Sequence, residues 1–283
     1  MTSTILVAAS GGTASNGAVE LACRMAKQFG AHLECLHVLP DPRQFIMMAG
    51  IDVPVTAELI DGIVKDGKEI AGKTKADFEK TASRHGLPLN GSGRNAPSAS
   101  WREETGYAPA VVAARARYFD LTVLGRSDRV VEQPHTDAIE QTLIRSGRPV
   151  LIAPAKPPAT VGEVIAIGWN GSPAAVHAVA GSLTALRGAR TVIVISVGKR
   201  DEGESGKEIV DYLSWHGIAA RHAKILPVAG VGPGEQLLAA ARDEGADLLI
   251  MGGYGHAPWR EMLFGGATRQ IVGTSLLPLL IAH

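Results

Sequence analysis

The chain repeats itself, in the same order each time. Asp120-Leu-Thr-Val-Leu-Gly125 returns as Asp247-Leu-Leu-Ile-Met-Gly252, and Pro149-Val-Leu-Ile-Ala153 returns as Pro278-Leu-Leu-Ile-Ala282. Thr4-Ile-Leu-Val-Ala-Ala-Ser10-Gly-Gly12 returns as Val164-Ile-Ala-Ile-Gly-Trp-Asn170-Gly-Ser172. A self-similar order of this kind means one fold written twice. The first pair lies roughly thirty residues further apart than the other two, so the first half carries an insertion in its middle. The halves fall at 1–156 and 162–283. Between them Ala155-Lys-Pro-Pro-Ala-Thr-Val-Gly162 reads as a linker, because paired prolines suit neither helix nor central strand.

Within each half, short apolar runs alternate with helical patterns. That alternation implies a parallel sheet covered on both faces by right-handed crossovers. In the first half strands are expected near 4–9, 33–38, 98–102, 120–125 and 149–153, with helices near 14–29, 56–85, 108–117 and 136–146. In the second, strands are expected near 164–169, 191–197, 220–226, 247–252 and 278–282, with helices near 173–187, 205–216, 234–244 and 266–274. The long charged helix from Thr56 to His85 should end at Gly86 and Pro88. The stretch Pro40 to Gly50, with Phe45, Ile46, Met47 and Met48, is apolar without clear period.

The strongest chemical signal follows the fourth strand of the second half. There Asp247 to Gly252 runs into Gly252-Gly-Tyr-Gly255-His256, and Gly265-Gly266-Ala267-Thr268 then opens a helical pattern. Strand, glycine loop and helix N-terminus in that order suit an anion. Glycine admits positive φ and close approach, and the first N–H groups of a helix are unpaired. A phosphate is the natural guest.

Gly252-x2-Gly255-x9-Gly265 resembles the nucleotide loop of universal stress proteins, G-2x-G-9x-G-[S/T], and the wording GGYGHAPWREMLFGGATRQIV is similar to their tandem members. The resemblance covers nearly the whole chain outside residues 40–55. It implies two tandem Rossmann-like domains of the adenine nucleotide alpha hydrolase type, each a five-stranded parallel sheet of order 3-2-1-4-5 with helices on both faces. It also implies ATP, with magnesium possible, as the ligand. One position departs, since Gly266 stands where the family carries Ser or Thr, with Thr268 two residues on.

In such sheets ligands sit beyond the strand ends where the order reverses. That places Gly168, Trp169 and Asn170 beside Met251, Gly252 and Gly255, with Val197 on the base pocket. Gly265, Gly266, Ala267 and Thr268 then face the phosphates, and His256, Arg260 and Arg269 stand near for charge neutralisation. Asn170 replaces the family's usual Asp. It keeps an acceptor, adds a donor and loses the charge. Asn170-Gly171-Ser172 also has the composition of a turn and helix cap.

The first half departs further. Arg126-Ser127-Asp128 follows Gly125, so Asp takes the second glycine's place and no third glycine precedes the helix. This half is expected not to bind ATP and to serve as the structural partner of the other in an internal pseudo-dimer. Ser10-Gly11-Gly12-Thr13-Ala14-Ser15 resembles the SGGxDS loop of ATP pyrophosphatases, with Ala14 in place of Asp. A weak ATPase or pyrophosphatase is therefore an alternative. A nucleotide-independent interaction module docking an unknown protein partner through Phe45 to Met48 is another.

Composition sets the outer limits. The formal net charge is zero, which gives no electrostatic footprint for nucleic acid or anionic membrane. No apolar run reaches spanning length and the first strand starts near Ile5, so the expectation is a cytoplasmic protein. Cys23 and Cys35 form neither a disulfide framework nor a zinc spacing. His37 reads as a core histidine, and no catalytic constellation emerges. A homodimer of whole chains is possible without a specific motif to support it.

Overall fold

A computed structural model of the chain describes residues 2–44, 56–91, 96–126, 133–198, 204–253, 271–273 and 275–283. The chain divides into two compact units, one of residues 2–148 with 153–156, the other of residues 149–152 with 157–283. Each is built on parallel strands with helical crossovers, as the alternation of apolar runs requires, and the second also takes one antiparallel edge strand.

The first unit contains β1 (Thr4–Ala8), α1 (Gly12–Phe29), β2 (His32–Leu39), α2 (Ala57–Arg84), β3 (Ser98–Thr105), α3 (Ala108–Ala116), β4 (Leu121–Gly125) and α4 (Gln133–Ser146). Its strands lie in the order β3-β2-β1-β4, all neighbours parallel. The N–H of Arg126 donates to Ala153 O at 2.9 Å, which ties the end of β4 to the last residue of the next strand. Ile5, Leu6, Leu33 and Leu36 are fully buried in the sheet, and Phe78 of α2 is buried with them at 6.0 Å from the Trp101 ring. Thr56 accepts the Leu59 N–H and starts α2, whose end passes into Gly86 with φ +70°, as its glycine predicted.

The strand β3 runs three residues past its expected end. Glu103, Glu104 and Thr105 lie beyond the expected strand, yet they keep register with His37, Val38 and Leu39. On an edge strand, charged side chains face solvent and pair along it: Trp101 Nε1–H donates to Glu103 at 2.7 Å and Arg102 Nε–H to Glu104 at 2.6 Å. Charge on an edge also discourages a foreign strand from adding there.

The second unit contains β6 (Val164–Gly168), α5 (Pro173–Gly181), α6 (Leu183–Gly188), β7 (Thr191–Val197), α7 (Glu204–Trp215), β8 (Ala220–Ile225), α8 (Pro233–Asp243), β9 (Leu248–Gly252) and β10 (Leu279–Ala282). Its parallel order β8-β7-β6-β9-β10 is the expected 3-2-1-4-5. The strand β5 (Val150–Ala153) contributes Val150, Leu151 and Ile152 to this unit, antiparallel to Ile281, Leu280 and Leu279. The apolar edge of β10 is thus covered rather than exposed. The single helix expected over 173–187 is two, because Ser182 turns its hydroxyl back onto Ala178 O at 2.6 Å and interrupts the backbone ladder.

Candidate functional site

Both units build the same strand-end geometry from the same residue types. The first device is an aspartate placed just before the fourth strand. Asp120 accepts the Ser3 and Thr4 N–H groups at 2.8 and 3.1 Å, and Asp247 accepts the Gly162, Glu163 and Val164 N–H groups at 2.8 to 3.2 Å. These carboxylates pin the start of the first strand to the start of the fourth. Their recurrence in the repeat was legible in sequence, although their role was not.

The second device is the glycine closing that strand. A Cβ on Gly252 would lie 2.4 Å from the Ala175 nitrogen at the start of α5, and a Cβ on Gly125 would lie 2.3 Å from Ala14 O in α1. Neither glycine has positive φ among the described residues. What Gly252 provides is therefore close packing of a strand end against a helix start. That is a different reason for glycine from the ligand approach its motif suggests.

In the second unit β6 lies between β7 and β9, with Gly168 in register with Ile195 on one side and Met251 on the other. This is the point where the strand order reverses. Gly168, Trp169, Met251 and Gly252 come together here, and Val197 ends the neighbouring strand half-buried. Gly168 is packed by Leu237 of α8, whose Cδ2 would be 2.6 Å from a Cβ. Trp169 is buried, its main-chain N–H donates to Ile195 O at 2.8 Å, and its indole Nε1 has no partner among the described residues.

Asn170 is exposed and performs the turn that its composition suggested. Its Oδ1 accepts the Ser172 N–H at 3.1 Å, Gly171 takes φ +70°, and Ser172 caps α5 by accepting the Ala175 N–H at 3.2 Å. The acceptor of Asn170 is thus engaged locally, which leaves its amide N–H pair for any guest. Gly253 is tied down by its N–H to Ala282 O at 2.8 Å. Gly255, His256, Gly265, Gly266, Ala267 and Thr268 lie outside the described residues, as do Arg260, Arg269, Asp128 and the segment Phe45 to Met48.

The first unit carries a feature the sequence did not suggest. Between the ends of β1, β2 and β4 is a cavity of about 140 Å³, lined by Ala9, Leu36, Val38, Val112, Leu124 and Ala138 among others. Ser15, 2% exposed, lines it too, and its hydroxyl has no hydrogen-bond partner among the described residues. The signal that could have found it is Ala9, a methyl where the repeat has Trp169.

Three buried groups of the first unit are structural. His37 is buried, donates from Nδ1 to Ala9 O at 2.7 Å and stacks on Trp101. Burial pushes the Cys23 thiol up to about 12 and the Cys35 thiol well above its ordinary value, so both are unreactive. Among the described residues no group of three or more His, Cys, Asp or Glu can hold a metal ion, and no helix is long and apolar enough to cross a membrane.

Two α/β units of this topology, each with glycine-closed strand ends at its switch point, define a tandem Rossmann-like protein. Residues 1–133 match the model of the universal stress protein family. A universal stress protein of Methanocaldococcus jannaschii is 36% identical over 58 residues, a match that spans 20% of this chain and 35% of that protein. The fold is that of a universal stress protein from Archaeoglobus fulgidus, with a TM-score of 0.73 at 15% identity over 99% of this chain and 95% of the other. A putative universal stress protein from Pseudomonas aeruginosa follows, with a TM-score of 0.59 at 14% identity over 99% and 93%.

Proposed function

We propose that this chain is a cytoplasmic stress-response protein whose second half binds ATP, the nucleotide acting as a ligand switch for a protein partner, with at most slow hydrolysis. The observation that supports this most is the placement of Gly252-x2-Gly255-x9-Gly265. The motif begins at the end of β9, beside the β6 end that carries a buried indole N–H with no partner among the described residues. A buried donor without a partner costs about 1–3 kcal/mol, a cost that an acceptor on a base or ribose would relieve. The Asn170 amide offers a second, solvent-facing donor. Backbone N–H groups of the glycine loop would hold the phosphates, and magnesium would arrive on the nucleotide, held by phosphate oxygens and water.

Calorimetry with Mg-ATP on the full chain tests this reading. One nucleotide per chain is expected, with affinity about tenfold weaker or worse in Gly265→Val, whose thermal unfolding should match the parent. A folded protein that takes up no ATP at millimolar concentration overturns it.

A further inference from the structure

The helix that crosses over to the third strand can be aligned residue by residue between the two units. α2 passes into Gly86 at φ +70° with the Leu87 N–H on Ala82 O at 2.9 Å, and α7 passes into Gly217 at φ +74° with the Ile218 N–H on Leu213 O at 3.0 Å. Phe78, Ala82 and Leu87 are therefore level with Ile209, Leu213 and Ile218, and all six are buried. The inward faces of the two helices match.

The outward faces do not. Where α2 has Asp77, Lys80, Thr81 and Arg84, α7 has Glu208, Asp211, Tyr212 and Trp215. Arg84 serves the fold, since its guanidinium reaches the Glu20 carboxylate on α1. Trp215 at the same place is 90% exposed, and Tyr212 is 39% exposed. An indole in water packs nothing in its own unit, and the other copy folds with an arginine there. Its presence calls for an explanation outside the unit.

The charge around it says what fits. Residues three, four and seven apart share one face of a helix, which puts Glu208 and Asp211 on the face of Trp215 with Lys207 at its flank. Both carboxylates are exposed and neither has an ion pair among the described residues. The Tyr212 ring rests on His216 at 4.6 Å, and the His216 carbonyl accepts the Arg187 Nε–H at 3.3 Å, so the aromatic platform is braced. Aromatic faces and carboxylates both attract cations. Tryptophan and tyrosine are also the residues that carry most energy at protein interfaces. A second copy of this face would set four carboxylates together, and an anionic membrane would repel the two it has.

We propose that the outward face of α7 docks a basic segment of a protein partner, an arginine or lysine of which lies over Trp215 with its charge against Asp211 and Glu208. This goes beyond nucleotide binding and holds whether or not the second half takes up ATP.

NMR of the tryptophan indoles in the full chain, titrated with a capped alanine-based peptide that carries two arginines, tests it. The Trp215 Nε1–H signal should shift saturably and the Trp169 signal should stay still. The same peptide with glutamate in place of arginine should move neither. Asp211→Asn should weaken the arginine peptide about threefold, and salt at about 0.5 M should weaken it further. Trp215→Arg, which installs the residue of the first copy, should abolish binding and leave thermal unfolding unchanged. The proposal is overturned if the arginine peptide leaves Trp215 unmoved at millimolar concentration, if the glutamate peptide binds as well, or if Trp215→Arg binds like the parent. Binding of phosphatidylglycerol vesicles through Trp215 would make a membrane the occupant, and a sedimentation coefficient that falls in Trp215→Arg would make it a second copy of the chain. Either result overturns the proposal.

Discussion

At the end of its first strand one half of this protein carries Ala9 and the other Trp169, with the same backbone hydrogen bond at each position. The frame around them is held constant. An aspartate pins the first strand to the fourth, and a glycine lets the fourth strand's end touch a helix. Among the described residues, the half with alanine has a cavity and a buried hydroxyl without a partner, and the half with tryptophan has a buried indole N–H without a partner. Duplication left the scaffold alone and changed what fills it. Function lives in such filling rather than in the fold.

Substitution in pairs tests how equal the two frames are. Gly125→Ala and Gly252→Ala each drive a Cβ into helix backbone, and each should cost about 3 kcal/mol of stability in urea unfolding. A cost confined to one of them would show that the two strand ends are packed for different reasons. Asp120→Ala and Asp247→Ala should each cost about 2 kcal/mol by stranding backbone donors. Asp247→Ala should cost the more, because Asp247 is 8% exposed and serves three main-chain N–H groups, whereas Ser3 at the first site is exposed. Equal costs would remove that distinction.

The smallest effect is in pH. His32 between Ser98 and Ser100 and His222 against Ser196 are each held below the ordinary imidazole range, chiefly by burial. The Lys224 charge adds to this at His222, while Glu34 opposes it at His32. With the folded value lowered, the unfolded chain takes up the proton first. Stability is therefore full above about pH 6.5 and falls as pH drops from there toward the folded value. His222→Gln should flatten that slope in urea midpoints measured between about pH 7.5 and 5. An unchanged slope would assign the loss to His32 or to groups elsewhere.

Much of this fold was readable because burial imposes pattern. Apolar runs such as Ile5-Leu-Val and Leu248-Leu-Ile mark strands covered on both faces, and Gly86, Gly217 and Gly245 mark helix ends. The pattern failed where a neighbour, not burial, held the chain. Glu103 to Thr105 are a strand because β2 pairs with them, and Ser182 breaks a helix by one side-chain bond. At the candidate site the sequence grouped Gly168, Trp169, Met251 and Gly252 by motif, and the structure adds that a Cβ on Gly252 would meet the backbone at the start of α5, which no spacing shows.

The sequence by itself determined that a single α/β pattern is written twice, and which copy keeps a glycine loop, because periodicity and repetition are local facts of the chain. Only the tertiary structure decided that two aspartates act as staples, that two glycines are there for helix backbone, and that Ala9 and Ser15 line one cavity. Each of those depends on what residues distant in the chain bring within a few ångströms, and no spacing along one strand can express that.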